Sequence, residues 1–154
     1  DFCLSRGLGD VYKRQKLAAT GVRCELHRGY LRDAAALLWP LQPTKIVSSL
    51  VLHQVPLAEK RAGLAAIHAA LVPGGELHIA DYGLQRTRAM RTLFRLVQCV
   101  DGFADTQPNA DGIVPRLMRE AGFAEVEETA VIPTPTGSVS LYRGVRSRAP
   151  KDRA

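Results

Sequence analysis

Residues able to hold or move a proton follow two strand-like segments of the sequence. His53 closes the apolar run "KIVSSLVLH", and Asp81 and Tyr82 close the alternating segment "ELHIADYG". An imidazole titrates near neutral pH, so His53 could orient or deprotonate a substrate. It could equally be a helix-entry histidine with a satisfied hydrogen bond. Asp81 could hold a polar substrate group or cap a helix.

These candidates depend on the elements that carry them. The first half of "KIVSSLVLH" lacks a polar face, which is typical of a central parallel strand buried on both sides. A helix is predicted next, with Pro56 near its first turn and Leu57, Leu64, Ile67 and Leu71 on one face. The second strand then follows Pro73, Gly74 and Gly75.

Ligands of an open parallel sheet bind beyond the carboxyl ends of its strands. The predicted binding rim therefore consists of Gly29 and Tyr30, residues 49–53, and residues 81–83.

The rest of the chain continues the alternation of strands and helices. "VRCELHRG" predicts a short strand, and "LRDAAALLWP" a helical turn halted by Pro40. "RAMRTLFRLVQCV" predicts an amphipathic helix over the sheet, and a short helix over about 113–121 stops at Gly122. The predicted apolar stripe of the first of these helices comprises Met90, Leu93, Phe94, Val97 and Val100. The segments around "PTPTG" predict an antiparallel hairpin.

Composition limits the class of protein. A chain of 154 residues, 46% hydrophobic and 23% charged, is typical of one soluble globular domain. The net charge of +6 includes a basic C-terminal tail without a stacking set or nucleic-acid motif, so no nucleic-acid partner is expected. We expect neither a membrane span nor a secretion signal, and a cytoplasmic setting. The three cysteines show no disulfide framework or zinc spacing, and no metal is expected.

Three segments together carry a resemblance to a known family. "IVSSLVLHQVP", "LAAIHAALVPGGELHIADYG" and the terminal hairpin resemble the C-terminal two-thirds of a class I S-adenosylmethionine-dependent methyltransferase. The similarity is greatest to the small-molecule group that includes quinone-biosynthesis C-methyltransferase-like enzymes. The resemblance covers nearly all of residues 16–145.

The resemblance implies an α/β fold, a partial Rossmann-like methyltransferase sheet. The family's strand order is 3-2-1-4-5-7-6, and this chain would hold strands 3, 4, 5, 7 and 6, with strands 1 and 2 missing. S-adenosyl-L-methionine would be the cofactor and a small molecule the methyl acceptor. The implied site comprises Gly29, Tyr30, Ser49 and Leu50 at the cofactor, His53, Asp81 and Tyr82 at the acceptor, and His53 in catalysis. Tyr30 stands where many relatives carry an acid that meets the adenine ring.

The first residues resemble something other than a protein segment. "SRGLGDVYKRQ", residues 5–15, resembles the translation of a transposase adapter used in sequencing libraries. We therefore predict an irregular non-native segment at 1–15, the C-terminal two-thirds of a methyltransferase domain at 16–145, and a disordered basic tail at 146–154. The glycine-rich cofactor loop would precede Lys16. The fragment itself would then be inactive and would expose a strand edge able to pair with another copy.

Two other classes of protein are also compatible with the sequence. One is a non-catalytic Rossmann-like interaction module whose basic tail contacts an acidic partner. The other is a fragment of a nicotinamide-dependent oxidoreductase, which would also use a doubly wound sheet. The terminal hairpin favours the methyltransferase over the oxidoreductase.

Overall fold

The fold was determined from a computed structural model, which describes residues 29–148. Within them, one sheet is covered by helices. We number the strands β1 (Lys45–Ser49), β2 (Glu76–Tyr82), β3 (Phe123–Thr134) and β4 (Gly137–Arg146). The helices are α1 (Ala34–Leu38), α2 (Leu57–Ala70), α3 (Arg88–Asp101), α4 (Phe103–Ala110) and α5 (Val114–Glu120), with 3-10 turns at Leu31–Asp33, Trp39–Leu41 and Leu52–Gln54.

The four strands lie in the order β1-β2-β4-β3. β1 and β2 are parallel, with Ile46 opposite Leu77, whereas β4 is antiparallel to both β2 and β3. This is the 4-5-7-6 part of the expected sheet, including the antiparallel strand between its neighbours. The predicted α/β fold is therefore confirmed for these strands. The predicted strand "VRCELHRG" lies outside the described residues, apart from Gly29.

The main core lies between α2 and the sheet. Leu64, Ile67 and Leu71 are buried as predicted, and they belong to one cluster with Leu77 and Ile79 of β2. Transfer of each such side chain from water contributes about 1.5–3 kcal/mol to folding. α2 ends at Ala70, shortly before Pro73, Gly74 and Gly75. Gly74 has a φ of 83°, and its amide donates to the carbonyl of Arg146, which ties this turn to the end of β4.

One helix is oriented differently from the sequence prediction. The predicted apolar stripe of α3 is only partly buried, since Val100 is 84% exposed and Leu93 is 40% exposed. Phe94 and Gln98 are the buried residues of α3. The helix contacts α4 and β4 through this face. Packing against the polar helix α4, which the sequence did not predict, decides the orientation of α3 and overrides its hydrophobic pattern.

A cross-strand ion pair makes folding sensitive to acid. The carboxylate of Glu76 accepts hydrogen bonds from Arg143 Nη2 (2.6 Å) and Nε (3.1 Å). Arg143, followed by His78, lowers the pKa of Glu76 from 4.5 to about 2. An acid with a lowered folded-state pKa stabilises the fold above its unfolded-state pKa and loses that contribution as the pH falls to the folded-state value.

We therefore expect stability to fall between pH 4.5 and about 2 in part through Glu76. Glu76→Gln should flatten the pH dependence of the thermal midpoint in this window, because the titrating group is absent. Thermal unfolding followed by circular dichroism at a series of acidic pH values measures the slope. An unchanged slope in Glu76→Gln would contradict the assignment.

Candidate active site at the carboxyl ends of the parallel strands

The site forms where β1 and β2 end side by side. Ser49 lies opposite Ala80 in the parallel register, and the amide of Leu50 donates to the carbonyl of Ala80 at 2.9 Å. Leu50 then adopts a φ of 52°, a left-handed conformation that is uncommon for a residue with a side chain. This conformation turns the chain sharply away from the sheet and into the 3-10 turn at Leu52–Gln54. Such backbone strain is concentrated at functional sites.

Asp81 holds this turn in place. Its Oδ2 accepts hydrogen bonds from the amides of Val51 (3.1 Å) and Leu52 (2.6 Å), and its Oδ1 accepts one from the amide of Tyr82 (2.8 Å). The residue is completely buried. The carboxylate therefore fixes the start of the 3-10 turn as a capping group does, which is one of the two interpretations that the sequence allowed. Direct contact between Asp81 and a substrate remains a prediction.

His53 lies between two carboxylates. Its Nδ1 is 2.6 Å from Asp81 Oδ1, and its Nε2 is 3.4 Å from Asp101 Oδ2 at the end of α3. The Gln54 amide nitrogen lies 3.2 Å from the same Nε2. The simplest assignment is that Nδ1–H donates to Asp81 while the unprotonated Nε2 accepts from Gln54 with its single lone pair. Asp101 would become a hydrogen-bond partner of Nε2 only when that nitrogen carries a proton.

Tyr82 completes the wall behind the imidazole. Its ring meets His53 edge to face at a centroid distance of 4.9 Å and meets Phe94 at the same distance. Its hydroxyl is hydrogen-bonded to Thr136 Oγ1 at 2.7 Å. His53 is only 2% exposed, so aromatic packing and two hydrogen bonds restrict its ring to one orientation. Three of the predicted site residues, His53, Asp81 and Tyr82, are thus in mutual contact.

The other predicted residues occupy different positions. Ser49 and Leu50 are exposed and precede the same turn. Tyr30 is 61% exposed beneath the guanidinium of Arg32, and Gly29 precedes it. Among the described hydrogen bonds and ring contacts, none joins Gly29 or Tyr30 to His53. The proposed cofactor contacts therefore remain predictions at all four positions.

A buried lysine beside the site was not predicted from the sequence. Lys60 is fully buried, and its Nζ donates to the carbonyl of Asp105 on α4 at 2.5 Å. Burial lowers the pKa of Lys60, and the carboxylates of Asp81 and Asp105 act in the opposite direction. A signal was present, because Lys60 lies at helical spacing between Leu57 and Leu64 on the apolar face of α2. A cation in that stripe indicates a buried polar contact.

Two further residues, one on α3 and one on α4, contact the site, and no pattern in the sequence predicted them. Asp101 is the last residue of α3, and its Oδ2 lies 3.4 Å from His53 Nε2. Asn109 on α4 donates from Nδ2 to the carbonyl of Tyr82 at 3.0 Å. Asn109 is fully buried, and its Oδ1 has no hydrogen-bond partner in the described part of the chain.

Within residues 29–148 there is no cluster of histidine, cysteine and acidic side chains that could hold a metal ion. In that range, the helices are too short or too polar to cross a membrane.

Comparison with known proteins identifies the fold. No family model and no curated protein matches the sequence. An O-methyltransferase family protein from Burkholderia thailandensis is similar over 96% of this chain and 44% of its own length, with a TM-score of 0.69 and 21% identity. The S-adenosylmethionine-dependent methyltransferase SibL matches over 96% and 43%, with a TM-score of 0.64 and 21% identity.

A third solved structure extends the comparison to a human protein. Human N-acetylserotonin methyltransferase, in complex with SAM, matches over 84% of this chain and 37% of its own length, with a TM-score of 0.55 and 16% identity. The chain therefore spans less than half the length of these three proteins. It has the fold of the class I S-adenosylmethionine-dependent methyltransferases, as the sequence resemblance predicted. At these identities the similarity establishes the fold alone.

Proposed function

We propose that this chain is the C-terminal part of an S-adenosylmethionine-dependent methyltransferase that acts on a small molecule. The observation that carries the proposal is the His53–Asp81 pair, buried in the turn that follows the first of two parallel strands in a methyltransferase fold. This is the end of the sheet at which α/β proteins bind their ligands. An imidazole fixed there by a buried carboxylate supports a role for His53 as a base.

The residues around the turn fit one side of a cofactor site. Ser49 and Leu50 are exposed at the carboxyl end of β1, and the left-handed backbone at Leu50 leaves this edge open instead of continuing the strand. Gly29 and Tyr30 would contact the cofactor from the preceding segment, as the family resemblance implies. An electrophilic methyl group on a sulfonium centre is what S-adenosyl-L-methionine supplies when it is bound.

In this proposal His53 takes a proton from the acceptor. With Nδ1–H donating to Asp81, Nε2 is the basic nitrogen, and a proton arriving there gains the carboxylate of Asp101 as a second partner. The Gln54 amide now lies at Nε2, so the acceptor group would displace it. A base is useful only for an acceptor atom that carries a proton, which favours a hydroxyl. Alignment of the acceptor with the methyl group supplies the remaining catalysis.

The test compares two cofactors on two proteins. Calorimetric titration with S-adenosylmethionine and with NAD is made on the 154-residue chain and on the product of the uninterrupted gene. We expect the full product to bind S-adenosylmethionine, and this chain to bind it poorly, because the glycine-rich loop would lie before Lys16. Binding of NAD alone would overturn the proposal. It would also fail if no strand and glycine-rich loop are encoded upstream of Lys16.

We further propose that β1 pairs with another copy of the chain when its outer edge is uncovered. β1 is an edge strand of the described sheet, and Val47 on it is 69% exposed. Unpaired backbone groups and an apolar side chain on an edge favour strand addition. The cytoplasmic setting likewise remains a prediction from the sequence.

Val47→Lys should therefore reduce self-association of the 154-residue chain, since an edge lysine opposes strand pairing. Sedimentation velocity over a range of protein concentrations measures the fraction of oligomer. The matched control is Val131→Lys on the opposite edge strand, β3, which should leave that fraction unchanged. Equal effects of the two substitutions would show that net charge, and not the β1 edge, governs association.

A further inference from the structure

A second concave site lies between α3 and α4, away from the predicted cofactor residues. Its volume is about 210 Å³. The lining residues are Arg91, Phe94, Arg95, Gln98, Gln107, Ala110 and Asp111. Tyr82 lies between this cavity and His53, since its ring contacts both Phe94 and the imidazole. The ring of Tyr82 therefore separates the cavity from His53.

Two guanidinium groups dominate the charge of the cavity. Arg91 and Arg95 are one turn apart on α3, so their side chains are neighbours on the helix surface. Arg91 Nε donates to the carbonyl of Gln85 at 2.9 Å, which orients this side chain and leaves its terminal nitrogens for another partner. Like charges at this spacing destabilise a helix, so an anion held between the two would relieve a repulsion.

The other polar groups of the lining already have partners. Gln98 Nε2 donates to Gln107 Oε1 at 2.9 Å, and Gln107 Nε2 donates to Asp111 Oδ1 at 2.9 Å. Asp111 is the single carboxylate in the lining, and it forms no ion pair with Arg91 or Arg95 within the described residues. Two cations against one anion leave the cavity with an excess positive charge.

The apolar part of the lining is small. Phe94 is only 1% exposed and Ala110 only 7% exposed, so both lie behind the polar side chains of the cavity. A guanidinium fork matches the planar geometry of a carboxylate through two parallel hydrogen bonds. Positive charge with little accessible apolar surface suits a small ligand that is recognised mainly through its carboxylate. The volume is below that of sites for drug-sized ligands, which restricts the ligand to about the size of a single substituted ring.

We propose that this cavity binds a small carboxylate, with Arg91 and Arg95 holding the carboxylate group. The proposal does not depend on methyl transfer, because neither arginine has a described hydrogen bond or ion pair with His53, Asp81 or Tyr82. Both arginines are exposed enough for a ligand to reach them from solvent.

The test uses benzoate as the probe and benzamide as its uncharged counterpart of similar shape. Each is titrated into the 154-residue chain by NMR or calorimetry at low and at moderate salt. We expect saturable binding of benzoate that weakens with salt, and at least about tenfold weaker binding of benzamide, because benzamide lacks the charge-assisted hydrogen bonds. Arg91→Gln and Arg95→Gln should each weaken benzoate binding by about tenfold.

Arg88→Gln is the matched control, since Arg88 belongs to α3 but does not line the cavity. It should change benzoate binding by less than about twofold, and thermal unfolding of all three variants should show that they are folded. Equal binding of benzoate and benzamide would overturn the proposal. An equal loss of benzoate affinity in the Arg88 variant would also overturn it. Binding of inorganic phosphate without binding of benzoate would have the same meaning, because the cavity would then attract anions only through the net charge of the helix.

Discussion

Asp81→Asn is expected to lower the free energy of unfolding by about 3–5 kcal/mol, as removal of one partner from a buried charged network does. The carboxylate accepts from the amides of Val51, Leu52 and Tyr82 and contacts His53 Nδ1. An asparagine at this position offers one acceptor oxygen in place of two. Its NH₂ group is itself a donor and would face the backbone amide donors. At least one buried donor would lose its partner, which costs more than the net value of the bond.

Urea denaturation followed by circular dichroism measures this loss. The matched control is Asp101→Asn, which also removes a carboxylate from His53. Asp101 is 3.4 Å from the imidazole and its side chain is 22% exposed, so the expected loss is below about 1 kcal/mol. A loss below about 1 kcal/mol for Asp81→Asn would show that the turn at Leu52–Gln54 does not depend on the carboxylate.

The sequence was sufficient to place His53 and Asp81 at the same edge of the sheet. Both segments have a strand-like composition, and parallel strands bring their carboxyl ends together. β1 is not buried on both sides as predicted, because it is an edge strand of the described sheet and Val47 is 69% exposed. The hydrogen bond between the two side chains could not be predicted, since it depends on the backbone of the intervening turn. Leu50 adopts a φ of 52° there, although no glycine or asparagine marks the position.

The helical side of the site was less predictable for a different reason. α4 contains Pro108 and mostly small or polar residues, so its pattern gives no clear helical face. Its position nevertheless determines which face of α3 is buried and brings Asp105 to Lys60. Asp101 reaches His53 because the chain turns at Gly102, whose φ is 88°. These contacts arise from packing between elements distant in sequence, and local patterns do not encode them.

The pairing of strands was the most predictable part. "ELHIADYG" and the terminal hairpin alternate apolar and polar residues, and burial along β2 alternates in the same way from Glu76 to Tyr82. A shift of one residue would move Leu77 and Ile79 from the core to the other face. The hydrophobic pattern therefore determines this register, whereas nothing equivalent determines the approach of α3 to the site.

His53→Gln is expected to slow methyl transfer by about 10²–10⁴-fold, the range that general base catalysis contributes. Glutamine can still donate a hydrogen bond to Asp81, so the turn should persist, but it cannot take a proton at the position of Nε2. The measurement is single-turnover methyl transfer by the full gene product, to the acceptor that the unaltered protein methylates in a panel of hydroxylated small molecules. Cofactor affinity, measured by calorimetry, should change by less than about twofold.

The matched control is His78→Gln, which makes the same substitution on β2. His78 lies beside Glu76, and none of its described hydrogen bonds reaches the site. It should leave the rate of methyl transfer unchanged. An unaltered rate in His53→Gln would limit His53 to a structural role with Asp81, because the fold and the cofactor affinity are retained in that variant. A loss of cofactor affinity together with rate would instead mean that His53 supports the cofactor side of the site through the turn that follows β1.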